Sequence, residues 1–167
     1  MLIMLCSFLM SCPSDDEDEC IKTITIPQIY VVGNQSYTTE IQQDVPCDFP
    51  EPDEPELIEP PRLENFTYEI LSSNYVPDTG NNTTLLQFEI QLNNHSDADV
   101  SGIPWITVVT PGLEFSTASY AEDALNPCLT IDANASCNFI FDQEYPLEPV
   151  GAAESFEIIN VEYIITD

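Results

Sequence analysis

The chain has 167 residues and a formal charge of −28, from thirty Asp and Glu against two basic residues, Lys22 and Arg62. Nucleic-acid binding is excluded, because it needs cationic surface to displace counterions from phosphate, and electrostatic docking on anionic lipid headgroups fails for the same reason. An apolar content of 43%, with seven Tyr and eight Phe, is enough to pack a core, so disorder throughout is excluded as well.

An apolar run, Met1–Met10, ends in Ser11-Cys12 and is followed by Pro13-Ser14 and five unbroken acids, Asp15, Asp16, Glu17, Asp18 and Glu19. The run is too short to span a bilayer, which takes about 20 apolar residues, and matches the apolar core of a secretion signal. Leu9-Met10-Ser11-Cys12 resembles a bacterial lipobox, with Leu three before and a small residue just before the cysteine that is acylated. The acids directly after it resemble the surface-export signal of lipoproteins from the Bacteroidota. This resemblance implies a signal peptide at 1–11, lipid on Cys12, an acidic tether at 12–19 and a protein held on the outer membrane, exposed at the cell surface. It further implies that Asp15–Glu19 are an address read by the export machinery. A second reading of the same residues is an ordinary cleaved signal, with Cys12 one more thiol and the acids a solvated spacer. In either case mutual repulsion and the lack of apolar residues leave 15–19 extended.

Of six cysteines, Cys6 lies in the signal and Cys12 is the expected lipid site. Cys20, Cys47, Cys128 and Cys137 remain, an even number in an exported chain, which points to disulfides. Four cysteines allow three pairings, and the local ones, Cys20–Cys47 and Cys128–Cys137, are favoured because each pair brackets a plausible hairpin. On the loop-entropy model they contribute about 3.5 and about 2.7 kcal/mol. Zinc is a poor rival, with no Cys-x-x-Cys spacing and only one histidine, His95.

Residues 20–47 read as a hairpin unit. Thr23–Ile26 alternates at period two, Tyr37–Ile41 does so more loosely, and Gly33-Asn34 between them is a turn signal. A lone hairpin is marginal in water, so a disulfide across its open end makes physical sense. Residues 48–61 hold five Pro and six acids among fourteen residues. Such a linker is predicted to be stiff and extended, a spacer holding the next domain roughly 40 Å away.

Residues 62–167 are predicted to be all-β, with about seven strands. Leu86, Phe88, Ile90 and Leu92 face inward and Gln87, Glu89 and Gln91 face water. Phe66, Tyr68 and Ile70 share one face of 65–71. Trp105–Val109 is apolar on both faces, as in a central strand. Leu113 and Phe115 are placed inward. Cys128–Ala133 and Cys137–Gln143 are expected to face each other across Asn134-Ala135-Ser136. The last strand, 155–166, changes parity between Ile158 and Ile159, as a β-bulge would make it do. The expected core is Leu86, Phe88, Ile90, Trp105, Phe139, Phe141, Val161 and Tyr163.

Short strands, frequent turns and no helical period describe an immunoglobulin-like sandwich. The stretch Leu129–Phe141 resembles a hairpin common in bacterial immunoglobulin-like repeats, with Asn134 where Gly is usual; Asn tolerates the left-handed backbone needed there. Trp105 matches the buried Trp of immunoglobulin domains. The nine-residue spacing of Cys128 and Cys137 does not match their inter-sheet disulfide. A fold of this kind implies no function by itself.

Chemistry-bearing constellations are few. His95 lies in Asn93–Asp97, a turn by composition, and no Gly-x-Ser-x-Gly elbow accompanies it. With thirty acids, any carboxylate pair is uninformative about glycoside hydrolysis. Calcium is the better chemical rival, with Asp97 and Asp99 as candidate ligands in an inter-strand loop, although the full Asp-x-Asp-x-Asp-Gly pattern is missing. No other cofactor is indicated. The leading expectation is therefore a non-enzymatic, lipid-anchored surface protein that binds an envelope protein or a glycan, or serves structurally. The alternatives are an accessory to a polysaccharide-acting enzyme and a calcium-binding adhesin domain. A planar row of exposed aromatics, drawn from Tyr30, Tyr37, Tyr75, Tyr120 and Tyr145, would favour a glycan.

Overall fold

The computed structural model describes residues 20–33, 35–148 and 151–166. It is all-β, with strands β1 (Ile21–Val32), β2 (Gln35–Pro46), β3 (Glu56–Leu57), β4 (Phe66–Val76), β5 (Thr83–Asn94), β6 (Val100–Thr110), β7 (Leu113–Thr117), β8 (Thr130–Ile131), β9 (Ser136–Pro146) and β10 (Glu157–Ile165). A 3-10 turn, Ser119–Ala121, follows β7.

Two sheets make the sandwich. One has the order β4-β5-β9, the other β10-β6-β7 with β8 on the start of β6. The period-two pattern of β5 does what it predicts: Leu86, Phe88, Ile90 and Leu92 are buried. They meet Phe139 and Phe141 from β9 and Ile106, Val108, Val161 and Tyr163 from the facing sheet in one core. Phe88 stacks on Phe141 at 5.0 Å between ring centroids and on Phe139 at 6.0 Å. Aromatic pairs of this kind contribute about 0.5–1.5 kcal/mol beyond the area they bury. The bulge in the last strand is present, with the register against β6 shifting between Ile158 and Asn160. Ile158 and Val161 are buried and Ile159 is exposed.

Both expected disulfides form. Cys20–Cys47 closes the open end of the β1–β2 hairpin, whose twelve-residue strands pair from Ile21↔Pro46 to Val32↔Gln35. Gly33, directly after β1, has φ +61°, where a side chain would be strained.

The second bridge, Cys128–Cys137, has a different setting from the predicted hairpin. β8 pairs with β6 and β9 pairs with β5, so the two segments belong to opposite sheets. Leu125 and Asn126 first run beside β9, donating to the Ile140 carbonyl at 2.8 and 3.3 Å, and the chain then crosses to β6. The disulfide spans this crossing. Asn134 in the turn beyond it has φ +53°, the left-handed backbone expected of it.

Four residues differ from their expected burial. A register shift between Ile70 and Ser72 breaks the parity of β4 and leaves Ile70 exposed, while Tyr75 further along packs on the core. Phe115 lies opposite Val108 and so has the inward parity, yet β7 is a five-residue strand at the sheet's edge, and both Leu113 and Phe115 stay exposed. Trp105 is outside the sandwich core altogether, as its parity on β6 is opposite to that of Ile106 and Val108.

The segment 48–61 also departs from expectation. Glu56 and Leu57 pair in parallel with Gln28 and Ile29, making a third strand beside β1. Ile58 donates to the Ile29 carbonyl, and the Pro61 carbonyl accepts from Ile165 on β10. Proline and acid content make a free chain stiff and extended, but Ile58 has an apolar surface to join, and the segment folds back along β1 to reach it.

That surface is a second, smaller core. Tyr30 and Val32 at the hairpin tip pack with Ala118 and Ile164, with Ile103 and Trp105 partly buried beside them. β6 is apolar on both faces because both are covered, one by the opposing sheet and the other by the hairpin. Burying Tyr30 and Val32 contributes about 1.5–3 kcal/mol each.

Candidate functional site

The tip of the hairpin covers only part of the outer face of β6. Beside it lies a cavity of about 680 Å³, within the ~300–1,000 Å³ range of ligand sites. Strand alternation puts Ser101, Ile103 and Trp105 on this outer face, and they form the floor. One wall is the hairpin tip, with Val32, Gly33, Gln35 and Tyr37; the other is 116–119 with Ala121 and Glu122. Leu129, Thr130 and Thr166 close the end.

Each wall is held rigidly. Tyr37 stacks on Tyr30 at 5.4 Å with the rings 13° apart, and its hydroxyl donates to Gln35 Oε1 at 2.8 Å. Tyr30 in turn donates from its hydroxyl to the Ile165 carbonyl at 3.0 Å. On the far wall, the Ser116 and Thr107 hydroxyls share a 2.8 Å hydrogen bond, and Thr117 Oγ1 accepts from the Ser119 amide at 3.0 Å. Gly102 lets β6 approach β10, since a Cβ there would sit 2.2 Å from the Ile164 carbonyl oxygen and 2.5 Å from the Tyr163 ring.

The lining is polar in hydroxyls and nearly free of formal charge. Among the described residues, Glu122 brings the only carboxylate of the lining, and no lining residue is Lys, Arg, His or Cys. The two basic side chains are engaged elsewhere, Arg62 with Glu162 at 3.0 Å and Lys22 with Glu51 at 3.9 Å. Among the described residues, three serines line the cavity with no histidine or lysine beside them. What the cavity offers is aromatic surface beside groups that both donate and accept hydrogen bonds.

The candidates singled out by sequence fall elsewhere. Cys12 and Asp15–Glu19 lie outside the described residues. Asp97 and Asp99 serve the turn after β8: Asp99 Oδ1 accepts from the Ala133 amide at 2.8 Å, and Asp97 Oδ1 accepts from Asn134 Nδ2 at 3.2 Å. Among the described residues no three His, Cys, Asp or Glu gather as a metal site. The same loop is organised by buried Asn94, whose Nδ2 donates to the Ala98, Ile131 and Asp132 carbonyls while its Oδ1 accepts from Ser96. His95 Nε2 hydrogen-bonds Thr67 Oγ1 at 2.8 Å on the surface.

The tyrosines do not form an exposed row. Tyr30 is buried. Tyr120 packs edge-on against Phe88 and Phe141, and burial, with Tyr145 adding to it, pushes its phenol up to about 12. Burial raises Tyr75 and Tyr145 as well, with Asp123 reinforcing the shift at Tyr145. Tyr37 alone of the five lines the cavity, opposite a Trp read from sequence as core. The missed signal was the apolar outer parity of Ile103 and Trp105, which requires a cover that only the hairpin provides.

Comparison with protein families, with curated proteins and with solved structures finds no match. The site stands on its own geometry.

Proposed function

We propose that this is a non-enzymatic, lipid-anchored surface protein whose binding site is the cavity between the hairpin tip and the outer face of β6. The cavity carries the reading: it has the volume and aromatic lining of a ligand site. The anchor rests on the lipobox-like Leu9–Cys12 and the acids that follow, which resemble those of surface lipoproteins of the Bacteroidota. In this reading Cys12 carries lipid on the outer membrane, Asp15–Glu19 direct the protein outward, and the seven-stranded sandwich is immunoglobulin-like. Stable anchoring needs more than one acyl chain, as bacterial lipoproteins carry.

Two measurements test it. A fatty-acid probe is expected to label the wild type and miss Cys12→Ala; equal labelling would remove the anchor. Trp105 is the chain's only tryptophan, so its emission reports directly on the cavity. Emission is expected to change on adding envelope glycan or envelope peptide fractions, and no change with either would remove the binding site.

A further inference from the structure

We infer that the cavity takes an uncharged sugar unit, as the end or a side branch of a neutral glycan. This rests on the binding reading above and names the ligand class. A pyranose presents apolar C–H faces and a girdle of hydroxyls that each donate and accept. It therefore needs aromatic surface and, around it, side chains of the same dual character.

The cavity has both. Trp105 comes from the sandwich and Tyr37 from the hairpin, so the aromatic surface is assembled only where the two units meet. Ser101 and Thr130 are directly opposite across β6 and β8, which brings their hydroxyls together where the floor meets the closed end of the cavity. Neither hydroxyl, nor the Glu122 carboxylate, has a side-chain hydrogen bond among the described residues, whereas Ser116, Thr117 and Ser119 are already paired. Two dual-character hydroxyls and one acceptor are what adjacent sugar hydroxyls would use.

Charge decides against the other classes. With no cation in the lining and a chain charge of −28, a uronate or sulfated sugar meets repulsion and finds no partner. An apolar peptide segment would cover Ser101 and Thr130 without satisfying them, at the cost of desolvating both. A basic peptide would find a single carboxylate among several hydroxyls.

The test uses the full chain in detergent and Trp105 emission as readout. Neutral gluco-, manno-, galacto- and xylo-oligosaccharides are titrated beside a uronate oligomer, a sulfated oligomer and a lysine-rich peptide. At least one neutral sugar is expected to shift the emission saturably, and the charged oligomers to bind at least about tenfold more weakly. Ser101→Ala with Thr130→Ala is expected to weaken the sugar by about tenfold or more, since two hydrogen bonds at about 1 kcal/mol each are lost; the far-ultraviolet spectrum should be unchanged. Equal affinity for neutral and charged oligomers, or sugar binding indifferent to the double substitution, overturns the inference. A response to the peptide alone also overturns it, while leaving the cavity as a binding site. Silence with every probe removes both.

Discussion

The Tyr30 hydroxyl donates to the Ile165 carbonyl at 3.0 Å, tying the first hairpin to the last strand across 135 residues of sequence. Below that hydroxyl the Tyr30 ring stacks on Tyr37, and above it Ile165 pairs with Gly102. One contact thus fixes the hairpin wall of the cavity against its floor. Tyr30→Phe removes a hydrogen bond whose net contribution is about 1 kcal/mol. Hydrogen exchange should quicken at Tyr30–Val32 while the amides of β5 keep their protection. Uniform loss of protection would mean that the hairpin and sandwich unfold together.

Gly102 is required by contact, since its φ is not among the positive ones. Adding a methyl group forces β6 away from the Ile164 carbonyl and the Tyr163 ring. Overpacking of this kind costs about 1–3 kcal/mol, and more where backbone must move. Gly102→Ala is therefore expected to lower the urea midpoint, whereas Gly112→Ala, at an open turn with φ +80°, strains only its own backbone. A Gly102→Ala protein as stable as the wild type would show that β10 shifts freely.

Phe88 is the centre of the aromatic core, touching four other rings. Phe88→Ala should cost about 3–5 kcal/mol in equilibrium unfolding. Its neighbour Glu89 is half-buried and accepts from Asn138 Nδ2 at 2.8 Å, so it does more than face water. Glu89→Ala is accordingly expected to cost about 0.5–1.5 kcal/mol. If the two costs were reversed, the register of β5 would be wrong by one residue.

Tyr120 gives stability a specific alkaline limit. Burial favours its neutral phenol, so its folded value is raised to about 12 from an ordinary value of 10.0. Below the unfolded value both states are protonated and stability is intact; it is lost as pH rises from there through about 12, because the unfolded chain ionises first. Tyr120→Phe removes the ionisation and should flatten that loss, measured as urea midpoints at about pH 9 and about pH 11.5. A loss as steep in the variant would assign it to other groups, Tyr75 and Tyr145 first, whose values move the same way.

Features that depend on near neighbours were legible in the sequence. The alternation from Leu86 to Leu92 assigns its own inward face, the Ile158–Ile159 break assigns a bulge, and Asn134 suits its left-handed turn. The four cysteines sorted into local bridges because each pair bracketed a plausible hairpin, although only Cys20–Cys47 closes one. Alternation, however, reports that a strand has two faces and is silent on what covers each. Trp105 reads as core from its neighbours, yet it belongs to the face that the hairpin tip covers. The partner strand of β8 depends on the order of the whole sheet, so a turn at Asn134 looks like a hairpin although the chain changes sheets there. Linker composition describes a chain in isolation, and the segment 48–61 gave way to the apolar surface available to Ile58. The cavity belongs wholly to this second group: its floor, its walls and its two aromatic rings come from segments more than sixty positions apart in places, and they meet only because burying Tyr30 and Val32 outweighs holding the hairpin free in solvent.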